Sequence, residues 1–269
     1  VSNGPDGQVF FVDNQGDWIQ VCKLVHCRKG VFYGHPETEQ QFLPAGEVPD
    51  GLPAVWIPYE HVRSAAALCY DGTGGRFGPF TGQFFTGDVG YGQSVNIMRM
   101  AIELVDGVYQ GAAMRFIDGP PVGPQHAVFG PDGQMYIACL TDGVVRLRFG
   151  GRTPMEIHRV AIRPDGFSVH LTKPLAAGAE AGLAAIRARR WHFPYGIAYG
   201  SPKVDETDVP IERAAISPDR LRIDLTLPLK TYKNCMVYYL HLGKLTAADG
   251  DELAHPEAWY TIQRLPKAP

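Results

Sequence analysis

The run Val12-Asp13-Asn14-Gln15-Gly16-Asp17-Trp18 gathers groups able to do chemistry. Asp13, Asn14 and Asp17 bring oxygen acceptors around a glycine, and Trp18 adds an aromatic face. The same residue types bond their own backbone in Asx turns, so a plain tight turn is the competing reading. Further on, Gly30 to Pro36 reads as an ordered loop carrying Tyr33 and His35. A ring such as Tyr33 can take the apolar face of a sugar while an imidazole takes its hydroxyls. Otherwise Tyr33 packs and His35 caps a turn. Arg115, within Ala113-Met114-Arg115-Phe116, carries a planar fork suited to carboxylates; a surface salt bridge is the alternative. Asp13, Asn14, Trp18, Tyr33 and His35 are thus the candidate lining of a substrate cleft.

Several chemistries find no support. The nine histidines show no HExxH spacing for zinc. His126, beside Ala127-Val128-Phe129, reads as a core or rim residue. Gly72 to Gly78 holds four glycines but lacks GxxxxGK[ST], which argues against phosphate binding. There is no Gly-x-Ser-x-Gly elbow. The five cysteines are scattered and form no CxxC or CxxCH, so they leave the redox compartment open. A net charge of −3 without a basic run gives no electrostatic footprint for nucleic acid. No apolar stretch approaches the ~20 residues of a membrane span.

The elements that must position these residues are strands. With 31 glycines and 22 prolines in 269 residues, turns are frequent and long helices are not expected. Gly4-Pro5-Asp6-Gly7-Gln8 is echoed by Gly130-Pro131-Asp132-Gly133-Gln134, and Thr81-Gly82-Gln83 stands between them. Each reads as a turn feeding an apolar strand, because Gly supplies positive φ and Pro pre-sets the preceding turn position. Strand candidates between them are Trp18 to Val25, Ala54 to Tyr59, Ala65 to Tyr70, Val95 to Leu104 and Val144 to Phe149. Pro36 to Pro53 reads as an inserted loop. Three such units are expected to form blades of a β-propeller over residues 1–152.

Composition shifts near Gly150-Gly151-Arg152-Thr153-Pro154. Residues 153–269 then show about seven short strands, the pattern of an Ig-like β-sandwich. Ile157, Val169, Leu171, Ile223, Leu225, Val237, Tyr239 and Ile262 are its expected core, and alternation such as Ile223 and Leu225 against Arg222 and Asp224 motivates the choice. Ala-rich Ala176 to Ala188 has room for a helical turn. The whole is expected to be all-β: a partial, about three-blade propeller followed by the sandwich. Three blades do not close a ring. The Val9-to-Val12 strand therefore needs upstream blades of the same protein, or a partner chain, along its edge. Opening on Val1 without a Met, the chain reads as cut from a longer polypeptide or as a processed end.

Four ordered segments carry a family resemblance: Asp13 to Gly16, Gly30 to Pro36, Gly74 to Phe80 and Thr153 to Ile157. Tyr199 to Pro202 and Tyr260-Thr261 follow in the same order. Together they resemble the C-terminal part of large planctomycete-type six-bladed propeller proteins, relatives of soluble pyrroloquinoline quinone-dependent glucose and aldose-sugar dehydrogenases. The resemblance implies oxidation of a sugar hydroxyl or aldehyde carbon by a Ca²⁺-assisted quinone, in a periplasmic or secreted protein. It implies that the main-chain carbonyls of Gln15 and Gly16 hold the Ca²⁺ and that Arg115 meets the quinone carboxylates. Ca²⁺ does favour carbonyl and carboxylate oxygens in irregular loops. The family's catalytic His lies in earlier blades that are absent here. The basic residue expected after Phe84 to Asp88 is also missing, since Val89, Gly90 and Tyr91 follow. The alternative is a non-catalytic module of the cell envelope that binds a glycan or a protein.

Overall fold

In the computed structural model, which describes residues 1–35, 47–89, 96–119 and 123–267, the chain is mostly β and its sheets are antiparallel. The turn motifs do what their residues dictate. Gly4-Pro5-Asp6-Gly7 closes the link between β1 (Ser2–Asn3) and β2 (Val9–Asp13), with Asp6 at φ 54° and Gly7 at φ 71°. β3 (Lys23–His26) and β4 (Val55–Trp56) complete this four-stranded sheet in the order β1-β2-β3-β4. The Val9-to-Val12 strand is therefore an inner strand, paired with β1 on one side and β3 on the other. The strand expected from Trp18 begins only at Lys23. Trp18 sits at φ 63°, and Gly16 and Ile19 exchange backbone hydrogen bonds of 3.1 Å, so a tight turn occupies the first half of that run. Much of the inserted loop expected over 36–53, namely 36–46, lies outside the described residues, as do Gly90 and Tyr91.

β5 (Ala65–Tyr70), β6 (Phe84–Asp88), β7 (Asn96–Val105) and β8 (Val108–Asp118) form a meander. Gly82, at φ 82°, lies in the turn that feeds β6. β9 (Pro124–Phe129), β10 (Met135–Cys139) and β11 (Val144–Leu147) form a second, separate meander. The repeated Gly130-Pro131-Asp132-Gly133 turn links β9 to β10, with Gly133 at φ 76°.

β12 (Ile157–Arg163) and β13 (Gly166–Leu171) are a hairpin, followed by a 3-10 turn over Ala179–Ala185 in the Ala-rich stretch. Then come β14 (Arg187–His192), β15 (Val204–Val209), β16 (Arg213–Ile216), β17 (Arg222–Thr226), β18 (Met236–His241) and β19 (Glu257–Ile262). β12, β13, β17 and β16 make one four-stranded sheet. The others join the first meander in an eight-stranded sheet of order β15-β14-β18-β19-β8-β7-β6-β5. The link is direct: Trp259, Tyr260 and Thr261 pair with Ala113, Ala112 and Gly111. Strands from both sides of Arg152 thus share one sheet.

This sheet is buried on both faces. Tyr238, Leu240, Ala258, Tyr260, Ala112 and Met114 face Phe167, Val169, Ile223 and Leu225 of the four-stranded sheet in one core. Trp191, Val237, Trp259, Met98, Met100 and Phe84 face Phe10, Leu24, Val55 and Trp56 in another. A third core joins Cys69, Phe85 and Ile97 to Ala127, Met135 and Ile137 of the β9–β10 hairpin. Six of the eight core residues expected beyond Thr153 lie in the first core. Val237 and Tyr239 point to the other face, because successive residues of a strand alternate sides.

Arg99 is the strongest polar tie between layers. Its side chain is fully buried, stands 4.2 Å from the Phe80 ring centroid and donates to the carbonyls of Ile157 and His158 and to Gln83 Oε1. Glu156 lies 3.7 Å away as its counter-charge. Burial pulls the guanidinium down to about 10, opposed by Glu156, so it stays charged at neutral pH.

Candidate functional site: an aromatic cleft on the eight-stranded sheet

Cross-strand register gathers large aromatic side chains on one face of the sheet. Tyr239 pairs with Trp259 and Arg189, while Trp191 pairs with Val237. Directly paired residues project to the same side, so these side chains make a floor. The Tyr239 and Trp259 rings lie 5.4 Å apart. The segment from Trp56 to His61 forms a wall. It is anchored where the Trp56 N–H donates to Thr261 Oγ1 at 2.8 Å. Ser201, Lys203 and Glu206 line the cleft as well, with Gln15 and Val21. Two adjoining cavities of about 200 and 210 Å³ share Glu60, Trp191, Lys203 and Trp259 in their linings.

The cleft is apolar inside and charged at its rim. Lys203 Nζ lies 4.1 Å from the Trp191 ring centroid and 3.3 Å from Glu60 Oε1. Tyr239 donates to Glu257 Oε1 at 2.7 Å. Burial and that carboxylate push the Tyr239 hydroxyl far above its ordinary range. His61 meets the Trp259 ring edge-on at 5.1 Å. Burial, then nearby Arg115, lowers its pKa and so favours the neutral imidazole. Trp191 and Trp259 are 3% and 2% exposed, and neither indole N–H finds an acceptor in the protein. Trp56, by contrast, donates to the Asn234 carbonyl at 3.5 Å. A buried donor without a partner is costly and uncommon. Both indoles line the cavities, and both N–H groups are themselves shielded from solvent.

The residues singled out in the sequence are placed differently. Asp13 lies 3.6 Å from Lys23 Nζ, and Asn14 donates to Ser64 Oγ at 3.4 Å. The Gln15 side chain donates to the Gln20 carbonyl at 3.0 Å and reaches the cleft. The Gly16 carbonyl accepts from both Ile19 and Gly200 N–H groups, each at 3.1 Å. Trp18 packs on Tyr195 at 5.2 Å. Tyr33 closes its own loop: its hydroxyl accepts from the Arg28 N–H and donates to the His26 carbonyl at 3.0 Å. His35 is exposed. Arg115 is held by Asp118 and by Glu257, the latter at 3.6 Å.

These contacts bear on the cofactors that the resemblance implies. Ca²⁺ takes six to eight oxygens. Here the Gly16 carbonyl already serves two backbone donors and the Asp13 carboxylate faces an ammonium. Among the described residues no group of three His, Cys, Asp or Glu is placed to hold a metal ion. The Arg115 fork is likewise engaged by carboxylates of its own chain. Arranged this way, Gln15, Gly16 and Arg115 do not fit a Ca²⁺ cage or a quinone clamp. Of the sequence candidates, only Gln15 reaches the aromatic cleft. The residues that make it, Trp56, Glu60, His61, Trp191, Lys203, Tyr239, Glu257 and Trp259, were missed. One signal was available: the chain has four tryptophans, and three of them meet here. Comparison with protein-family models, with curated proteins and with solved structures returned no match.

Proposed function

We propose that this chain binds a sugar in the cleft between the Trp191–Tyr239–Trp259 face and the Trp56-to-His61 wall. The observation that carries the reading is the aromatic floor of Trp191, Tyr239 and Trp259 flanked by Glu60, Lys203 and Glu257. Sugars match such a site: hydroxyl oxygens for Lys203, hydroxyl protons for Glu60 and Glu257, and C–H faces for the aromatic rings. Small-molecule sites are commonly apolar clefts with a few placed polar groups, which is the make-up of this one.

The resemblance to quinone-dependent sugar dehydrogenases agrees with a sugar ligand and with a periplasmic or secreted location. The described residues lend it less support as a cofactor holder, so the reading assigns this chain the sugar and leaves oxidation to parts outside it. The fold details are consistent. β1–β4, β5–β8 and β9–β11 are three consecutive up-and-down meanders, each containing one of the equivalent turns, as blades would be. The β12-β13-β17-β16 sheet packed on the larger sheet suits an Ig-like sandwich. Under this reading, upstream blades or a partner chain complete the ring.

Tryptophan fluorescence tests the proposal directly, because the responding rings form the site. Titration with glucose, galactose, mannose, xylose and N-acetylglucosamine is expected to give a saturable change for at least one. Trp191→Phe and Trp259→Phe shrink the aromatic floor, and each is expected to weaken binding roughly fivefold. No saturable response to any of the five sugars, confirmed by calorimetry, refutes the reading.

A further inference from the structure

The cleft does not end at Gln15 and Ser201. The segment 194–202 that carries Ser201 is fastened to the Asp13-to-Gln20 loop by backbone contacts. Gly200 N–H donates to the Gly16 carbonyl at 3.1 Å, Ser201 N–H donates to the Gln20 carbonyl at 2.9 Å, and Asp17 bridges Tyr199. Ser201 Oγ also donates to the Pro194 carbonyl at 2.6 Å. On this fixed backbone Ile197 is 68% exposed and Tyr199 is 70% exposed. Beside them Trp18 packs against Tyr195 from a left-handed backbone conformation, φ 63°, which is an outlier for so bulky a residue. Outliers of this kind persist where the surroundings over-determine them, and they cluster at binding sites.

Resting on the sugar-binding reading of the cleft, we propose that the Tyr199–Trp18 surface is a second sugar subsite, so that the ligand is an oligosaccharide running out of the cleft. Continuity argues for this occupant over another protein. Gln15 and Ser201 line the cavity, and Tyr199, two residues before Ser201, carries an exposed ring next to half-buried Trp18 through the Asp17–Tyr199 bridge. A chain whose first residue sits against Trp191 and Trp259 therefore leaves past Ser201 and meets Tyr199. Rigid aromatic rings on a fixed backbone bind successive sugar rings at low entropic cost.

The test is calorimetry on the whole chain with four ladders of one to six units: cello-, malto-, xylo- and manno-oligosaccharides. In the ladder that binds, affinity is expected to rise roughly three- to tenfold between one unit and three or four. Tyr199→Ser and Ile197→Ser, both at exposed positions that leave the core intact, are expected to abolish that rise and keep the single-unit affinity. Trp18→Gly, which relieves the left-handed strain, is expected to do the same. Equal affinity at every length, or a rise that Tyr199→Ser leaves unchanged, overturns the second subsite while the cleft reading stands. No binding in any ladder overturns both.

Discussion

Replacing Arg99 by Met tests what holds the two halves of the chain together. Arg99 belongs to β7 in the eight-stranded sheet, and its acceptors Ile157 O and His158 O belong to β12 in the facing sheet. Met fills similar volume but removes three hydrogen bonds to oxygen, a weaker one to Met114 Sδ and the charge opposite Glu156. The Arg99–Glu156 contact of 3.7 Å is a charge contact rather than a hydrogen bond, and Glu156 also faces His255 Nδ1 at 2.7 Å. Breaking a buried pair by removing one partner costs about 3–5 kcal/mol. At roughly 2–4 °C per kcal/mol for chains of this size, Arg99→Met should lower Tm by roughly 6–20 °C. Glu156→Gln should cost less, since Arg99 keeps its four acceptors. The double variant should recover part of the loss, because no carboxylate is then left buried without its guanidinium. Calorimetric melts of the four proteins complete the cycle. A Tm for Arg99→Met within experimental error of the parent would refute the argument that this side chain ties the sheets.

Four further outcomes are expected. A Cβ at Gly111 would stand 2.1 Å from the Ala101 carbonyl oxygen and 2.7 Å from Ile102 Cα; Gly111→Ala should therefore destabilise by about 1–3 kcal/mol in a urea titration. Burial depresses His26, His61, His158 and His170, the last to about 4, whereas the unfolded chain takes up these protons near pH 6.5. The unfolded state then binds more protons between those values, so stability should fall as pH drops from 6.5 towards 4, and a urea midpoint that rose on acidification would contradict this. Lys203→Met removes an ion pair whose side chains are 32% and 44% exposed; it should leave stability within about 1 kcal/mol yet change sugar affinity, checked by parallel melts and titrations. A fragment beginning at Thr153 would lack Ala101, Ala112 and Met114 of its core and the strand that pairs with β19; it should bind a hydrophobic dye and give a poorly dispersed amide spectrum.

Local features were legible in the sequence because their causes are local. Gly4-Pro5-Asp6-Gly7 and its echo at Gly130 place positive φ where hairpins need it. Ile223 and Leu225 alternate with Arg222 and Asp224 because one face of β17 is buried. Where both faces are buried, alternation carries no such information, and Val237 and Tyr239 were assigned to the wrong side. β14 hid behind three arginines among its six residues, whose side chains reach solvent or carboxylates while Trp191 enters the core. The cleft was harder still. Its walls come from positions 15, 56–61, 191, 201–206, 239 and 257–259, joined only by strand order. In the Asp13-to-Trp18 run, composition pointed to a loop, but the use of the Gly16 carbonyl depended on Gly200, which is remote in sequence.

The pairing of β8 with β19 sets a timetable for biosynthesis. Gln110 and Tyr260, which meet across that seam, are 150 residues apart. At roughly 5–20 residues per second on the ribosome, β8 emerges some 8–30 s before its partner strand. The β7–β8 hairpin can form within microseconds. It must then wait with one edge of an 11-residue strand unanswered, and the stretch from Gln110 to Met114 along it is buried in the finished molecule. A nascent chain in this condition is a substrate for holdase chaperones and a template for intermolecular strand addition. Growth temperature, codon usage between Asp118 and Glu257 and chaperone supply should therefore govern soluble yield more strongly than the stability of the finished fold.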